Sequence, residues 1–86
     1  MPEISRFLGM IIAMYYSDHA PPHFHVRYGS RKASLSIDDG DVLDGSLPPR
    51  ALSLVREWAC RHRDELRADW DLAGARKTLN PIAPLE

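Results

Sequence analysis

The residues best equipped for chemistry lie within "SDHAPPHFHV", residues 17–26, where His19, His23 and His25 fall inside seven positions behind Asp18. Histidine changes charge near neutral pH and is a common metal ligand. Residues i and i+2 of a strand project from one face, about 7 Å apart, so His23 and His25 can converge on one ion. Zinc or a similar divalent ion wants a third ligand, which His19 or Asp18 could supply from the preceding loop. The metal set on this reading is His19, His23 and His25. A second reading needs no ion: His23 and His25 act as general acid and base, with Arg27 holding a phosphate and Ser34 or Ser36 as donors. That inventory suits phosphodiester cleavage, as in a small RNase. A third reading is structural. Pro21 and Pro22 hold the residues before His23 extended and remove two backbone donors, and Asp18 caps the turn.

Three or four strands and one helix are needed to position these residues. "FLGMIIAMYY", about 7–16, reads as a strand apolar on both faces, with Gly9 marking a bulge or close approach. "HFHVRY", 23–28, alternates: Phe24, Val26 and Tyr28 point one way and His23, His25 and Arg27 the other. Gly29-Ser30 is a hairpin signal, and 32–38 alternates in its turn with Ala33, Leu35 and Ile37 against Ser34 and Ser36. "DDGD" is a second turn, leading to a short strand at about 41–44. From Ser46, a candidate cap, and Pro48-Pro49, the apolar positions Ala51, Leu52, Val55, Trp58, Ala59, His62 and Leu66 recur at helical spacing. This predicts one long helix over about 48–73, with a break near Arg67–Asp69 as the alternative. The tail is expected to run extended, docked by Leu79, Ile82 and Leu85. The fold class is α+β: a small antiparallel sheet, its apolar face covered by the helix, in a single domain over 1–86.

Composition narrows the function. The single cysteine, Cys60, allows no internal disulfide and excludes a Cys-rich zinc module. The longest apolar run, about ten residues, is too short to span a bilayer, and no charged-then-apolar leader is visible; a cytoplasmic protein without membrane contact is expected. A net charge of −1 gives no global nucleic-acid signature. Charge is nonetheless uneven. Asp38, Asp39, Asp41 and Asp44 gather before the helix and Arg50, Arg56, Arg61, Arg63 and Arg67 along it. Such a face meets phosphates or an acidic partner, with Arg50 and Arg63 as candidate binding residues, or is simply solvated. His62, on the apolar stripe beside Trp58, is expected to be hydrogen-bonded and partly buried. Trp58 and Trp70 read as core and rim.

"MPEISRFLGMIIAMYYSDHAPPHFHVRYG" is similar to the opening of domain-of-unknown-function family 4160, a bacterial family. The matching positions are Pro2, Ile4, Ser5, Phe7, Gly9, Ile12, Asp18, His19, Pro21, Pro22, His23, Phe24 and His25. Leu47, Pro48, Arg50, Ala51, Trp58, His62, Arg63, Glu65, Leu66 and Trp70 resemble its later segment. Position 13 is Ala where members often carry a polar or basic residue. Members are commonly encoded beside a small protein of domain-of-unknown-function family 2442, in pairs proposed as toxin–antitoxin modules. The resemblance therefore implies an interaction protein, the toxin-like half of such a pair. It would bind its partner or RNA through the His23/His25/Arg27 strand face and the Arg-rich helix, with self-association open. The alternative is a hydrolase, RNase or metal-binding domain centred on His19, His23 and His25, with a divalent metal such as zinc as cofactor.

Overall fold

The computed structural model describes residues 2–85. Five strands, β1 (Glu3–Phe7), β2 (Met10–Ala13), β3 (His23–Tyr28), β4 (Arg31–Ser36) and β5 (Val42–Gly45), precede two helices, α1 (Pro49–Arg61) and α2 (Arg63–Gly74). The strands form one antiparallel sheet in sequence order. The α+β class holds; the strand count and the single helix need correction.

The apolar run expected as one strand over 7–16 is instead divided. Leu8 and Gly9 both adopt positive φ, +50° and +80°, between the paired residues Phe7 and Met10. Positive φ at both central residues is what a type I′ two-residue hairpin requires, and Gly9 meets that requirement without steric cost. The chain therefore reverses, and "EISRF" becomes an edge strand. The Gly29-Ser30 loop also joins its neighbours as a two-residue hairpin, closing the pair Tyr28–Arg31. At the other edge, a Cβ at Gly45 would lie 2.1 Å from the Lys32 carbonyl oxygen, so the close approach of β5 to β4 demands glycine there.

The helix breaks at His62 (φ −117°, ψ 27°), not near Arg67–Asp69. The buried positions Ala51, Val55, Trp58 and Ala59 of α1 and Leu66, Asp69 and Ala73 of α2 keep three- and four-residue spacing across the break. That continuity makes two helices read as one. Ser46 does not cap α1: its N–H bonds to the Lys32 carbonyl, and Pro48 takes the cap position.

Both helices cover one sheet face. Trp58 is fully buried between Phe7 and Phe24, at ring separations of 5.4 and 5.9 Å, with Met10, Ile12, Met14, Val26, Leu35, Ile37, Val55 and Leu66 completing the core. The tail docks as expected: Ile82 is buried and donates its N–H to the Ile4 carbonyl, while Trp58 Nε1–H donates to the Ala83 carbonyl. The opposite sheet face carries Ile11 and Ala13 from β2, His23, His25 and Arg27 from β3, Lys32, Ser34 and Ser36 from β4, and Asp44 from β5. No helix among the described residues is long and apolar enough to cross a membrane.

Candidate metal centre

Strand alternation and the loop before β3 together build one cluster. Asp18 lies in the loop from β2 to β3, which is tied to the end of α2 by the Ser17 N–H bonding the Ala73 carbonyl. The Ala20–Pro21 peptide is cis, and two residues later β3 begins. Asp18 Oδ2 lies 2.9 Å from His23 Nε2 and 3.2 Å from His25 Nε2. One ligand atom from each of these three residues falls within 4.8 Å of the others. Donors arranged tetrahedrally around an ion at about 2.05 Å sit about 3.3 Å apart, close to the two separations from Asp18.

The far nitrogens of both rings are also occupied. His23 Nδ1 faces the Pro21 carbonyl at 2.7 Å, and a carbonyl only accepts, so this nitrogen carries a proton. His25 Nδ1 meets Ser34 Oγ at 3.2 Å. The Ser34 hydroxyl can accept there too, leaving both Nε2 atoms aimed at one carboxylate oxygen. Oxygen partners on the distal nitrogen are what orient metal-ligating histidines. Around the cluster, Trp70 of α2 packs on the His23 ring at 5.2 Å and Tyr15 on the His25 ring at 4.2 Å. His23 is buried and Asp18 nearly so, with 15% of its side chain exposed. Burial works to raise the Asp18 carboxyl, but it is outweighed. The His25 hydrogen bond, the His19 backbone N–H and the adjacent His23 hold the group below the usual carboxylate value.

The cluster opens on solvent along a cleft of about 380 Å³ lined by Asp18, His19, Pro21, His23, His25, Ser34, Leu43 and Asp44. A second cleft of about 200 Å³ continues along the strands past Arg27 and Lys32, against Ile11, Ala13 and Tyr15.

The sequence model of a family described as "Domain of unknown function (DUF4160)" matches residues 9–71 of the 86, well over half of the chain. The chain belongs to the DUF4160 family. The matched span includes Asp18, His23, His25, Ser34 and Trp70 and ends before the docked tail. No match was found among curated proteins or among solved structures.

The expected ligand set has His19 where the cluster has Asp18. His19 is 88% exposed and reaches Asp18 Oδ1 at 3.0 Å from outside the cluster, while Asp18, weighed as a cap or substitute ligand, stands at its centre. Arg27 lies one pleat along β3 from His25, opposite Lys32. Arg50 and Arg63 belong to the helix layer: Arg50 borders a cleft with Leu8, Tyr28 and Leu54, and Arg63 donates to the Ile37 carbonyl. His62 bonds Glu65 at 2.5 Å and packs on Trp58, away from the cluster. Ser34 enters the sequence reading only as a candidate donor, and spacing gives Tyr15, Trp70 and Asp44 no place at a centre. Ser34 was within reach of register arithmetic, because the two-residue loop pairs positions whose numbers sum to 59, hence His25 with Ser34.

Proposed function

We propose that this DUF4160 protein is a divalent-metal-binding domain in which Asp18, His23 and His25 hold the ion and leave coordination positions facing the cleft. The observation that carries the reading is the direction of the two rings. Pro21 and Ser34 occupy both Nδ1 atoms, and both Nε2 atoms point at Asp18 Oδ2. A carboxylate only accepts, so without metal a ring nitrogen that faces Asp18 donates a proton to it. A divalent ion in place of those protons holds the same three atoms together. Two histidines and one carboxylate with open positions suit zinc, manganese or iron(II). Such a site serves metal-assisted hydrolysis as readily as simple binding.

Zinc titration with melting curves tests this. At a hundredfold excess over the dissociation constant, binding stabilises by about 2.7 kcal/mol, and each kcal/mol moves the melting point of a chain this size by about 4–8 °C. The rise is expected in wild type and in His19→Ala, and its loss in His23→Ala/His25→Ala and in Asp18→Ala. No shift at millimolar zinc would overturn the reading.

A second reading keeps the protein partner: the toxin-like half of a two-protein module, paired with a small protein of domain-of-unknown-function family 2442. Leu8 supports it, since it stands 59% exposed at the β1–β2 turn beside Tyr28, Leu54 and Arg50. Co-expression of the two proteins tests this, and separate migration on a sizing column counts against it.

A further inference from the structure

Arg27 and Lys32 face each other across the β3–β4 pair on the open face of the sheet, one pleat from the pair His25–Ser34. Like charges directly opposite on a sheet repel, so the pair costs stability unless an anion lies between or beside them. Here neither side chain has a hydrogen bond or ion pair among the described residues, although both line the same cleft. The nearest acid on this face, Asp44, is opposite Ser34 and lies toward the metal end. Arg56, Arg61, Arg63 and Arg67 on the helices have acceptors; Arg50 and Arg31 have none either among the described residues, but only Arg27 and Lys32 share a cleft with His25. Two cations thus stand together in a cleft that shares His25, Ser34 and Asp44 with the cleft of the candidate metal triad.

We propose that Arg27 and Lys32 hold a phosphoryl group whose remaining oxygen reaches the metal on Asp18, His23 and His25, which makes the ligand of this site a phosphate ester. The proposal rests on the metal reading above. Charge agrees with it. Arg27 and Lys32 against Asp44 leave one positive charge, and a divalent ion on ionised Asp18 adds a second. Shape agrees as well. A phosphoryl group offers oxygens in tetrahedral directions, so it can meet a metal and two cations on different sides. A carboxylate has two oxygens in one plane and meets fewer of them. The Ser34 hydroxyl lies between the two ends and can donate to a bridging oxygen when it is not engaged with His25. The cleft past Arg27, about 200 Å³, is small beside the roughly 300–1,000 Å³ of common ligand sites, so it takes the phosphoryl group and a few attached atoms. Ile11, Ala13 and Tyr15 give those atoms an apolar wall.

The test uses the full chain loaded with manganese. Electron paramagnetic resonance measures metal binding, and phosphorus-31 relaxation measures the approach of inorganic phosphate, methyl phosphate or dimethyl phosphate to the ion. Enhanced relaxation of either ester in wild type is expected, and comparison of the two esters tells a monoester site from a diester site. Arg27→Gln/Lys32→Gln should weaken ester binding about tenfold or more while manganese affinity is retained. Its melting point should not fall, because the change removes a like-charge pair from an exposed face. Metal binding without relaxation of any phosphate, or acetate competing as well as methyl phosphate, would overturn this proposal and leave the metal reading standing. Absence of manganese binding in the first measurement overturns both.

Discussion

The two sides of β3 share one backbone and differ in what their side chains are for. Phe24 and Val26 point into the helix-covered core and are at most 1% exposed. Alternating with them along the chain, His23 and His25 point to the other face and meet Asp18, Ser34 and the Pro21 carbonyl. On the core side every partner is apolar and contributes by excluding water. On the other, the partners are directional and are arranged around a point common to three ligand atoms. One strand thus separates stability from chemistry by the pleat alone, and the two sides should answer substitution differently.

The largest contrast is between neighbouring residues. Phe24→Ala opens a cavity against Trp58 and should cost about 3–5 kcal/mol, which for many domains of this length abolishes folding near 37 °C. His25→Ala in metal-free protein removes two hydrogen bonds at a site with 26% of the side chain exposed, and should cost about 1 kcal/mol. Urea unfolding of both variants, without metal, measures the gap. Equal losses would mean that the histidine face is also part of the core, and the comparison would fail.

How far the sequence revealed this arrangement depends on which physical signal each part emits. Period-two alternation exposed the two faces of β3 and β4, and the Gly29-Ser30 loop fixed their register. Helical periodicity exposed the stripe through Trp58 and Leu66. The Leu8-Gly9 reversal was hidden because Leu8, an apolar residue at positive φ, carries no turn signal, and Gly9 alone also reads as a bulge. The break at His62 was hidden because the buried stripe keeps its phase across it, with neither proline nor glycine to mark it. At the site, spacing along β3 paired His23 with His25. The position of Asp18 depends on how the nine-residue loop between β2 and β3 folds against α2, and nothing local in the sequence encodes that. Part of the arginine series is tied down by contacts of the same non-local kind. Side chains that read as a free basic face are drawn toward the β4–β5 turn, Arg56 to the Gly40 carbonyl, Arg63 to the Ile37 carbonyl and Arg67 to Asp38.

A second contrast sets two shielded aspartates against each other. Asp18 has three partners. Asp69, fully buried in α2, accepts one hydrogen bond from the Asn80 N–H at 2.9 Å and leaves Oδ2 without a partner. Burial pushes the Asp69 carboxyl up, the Asn80 bond opposes this in part, and the charge of Glu65 adds to the rise. An acid whose folded value is raised favours the fold in its neutral form. Its contribution is complete below the unfolded value, about 3.9, and is lost as pH rises through the higher folded value. Asp69→Asn keeps an acceptor for Asn80 but cannot ionise. The stability difference between variant and wild type should therefore move in the variant's favour from pH 4 upward, then level off. Urea midpoints from pH 3 to 8 measure that slope. A difference independent of pH would show that Asp69 pays no penalty for its burial.

The smallest expected effects separate the arginines of the two layers. Arg67 and Asp38 form an ion pair with both side chains about half exposed, an arrangement worth roughly 0–1 kcal/mol that salt screens. Arg67→Ala should therefore lower stability by about 0.5 kcal/mol, and 1 M salt should erase the difference. Arg56 is held differently: its Nε–H donates to the Gly40 carbonyl at 2.9 Å, at a turn whose glycine is buried. Loss of a charged donor to a shielded carbonyl costs about 1.5 kcal/mol and is less sensitive to salt. Arg56→Ala should thus exceed Arg67→Ala in both low and high salt, by thermal or urea unfolding. If the two were equal and equally screened, the helix arginines would be a solvated surface. The distinction between arginines that moor the helices and the unpaired Arg27 of the open face would then lose its structural basis.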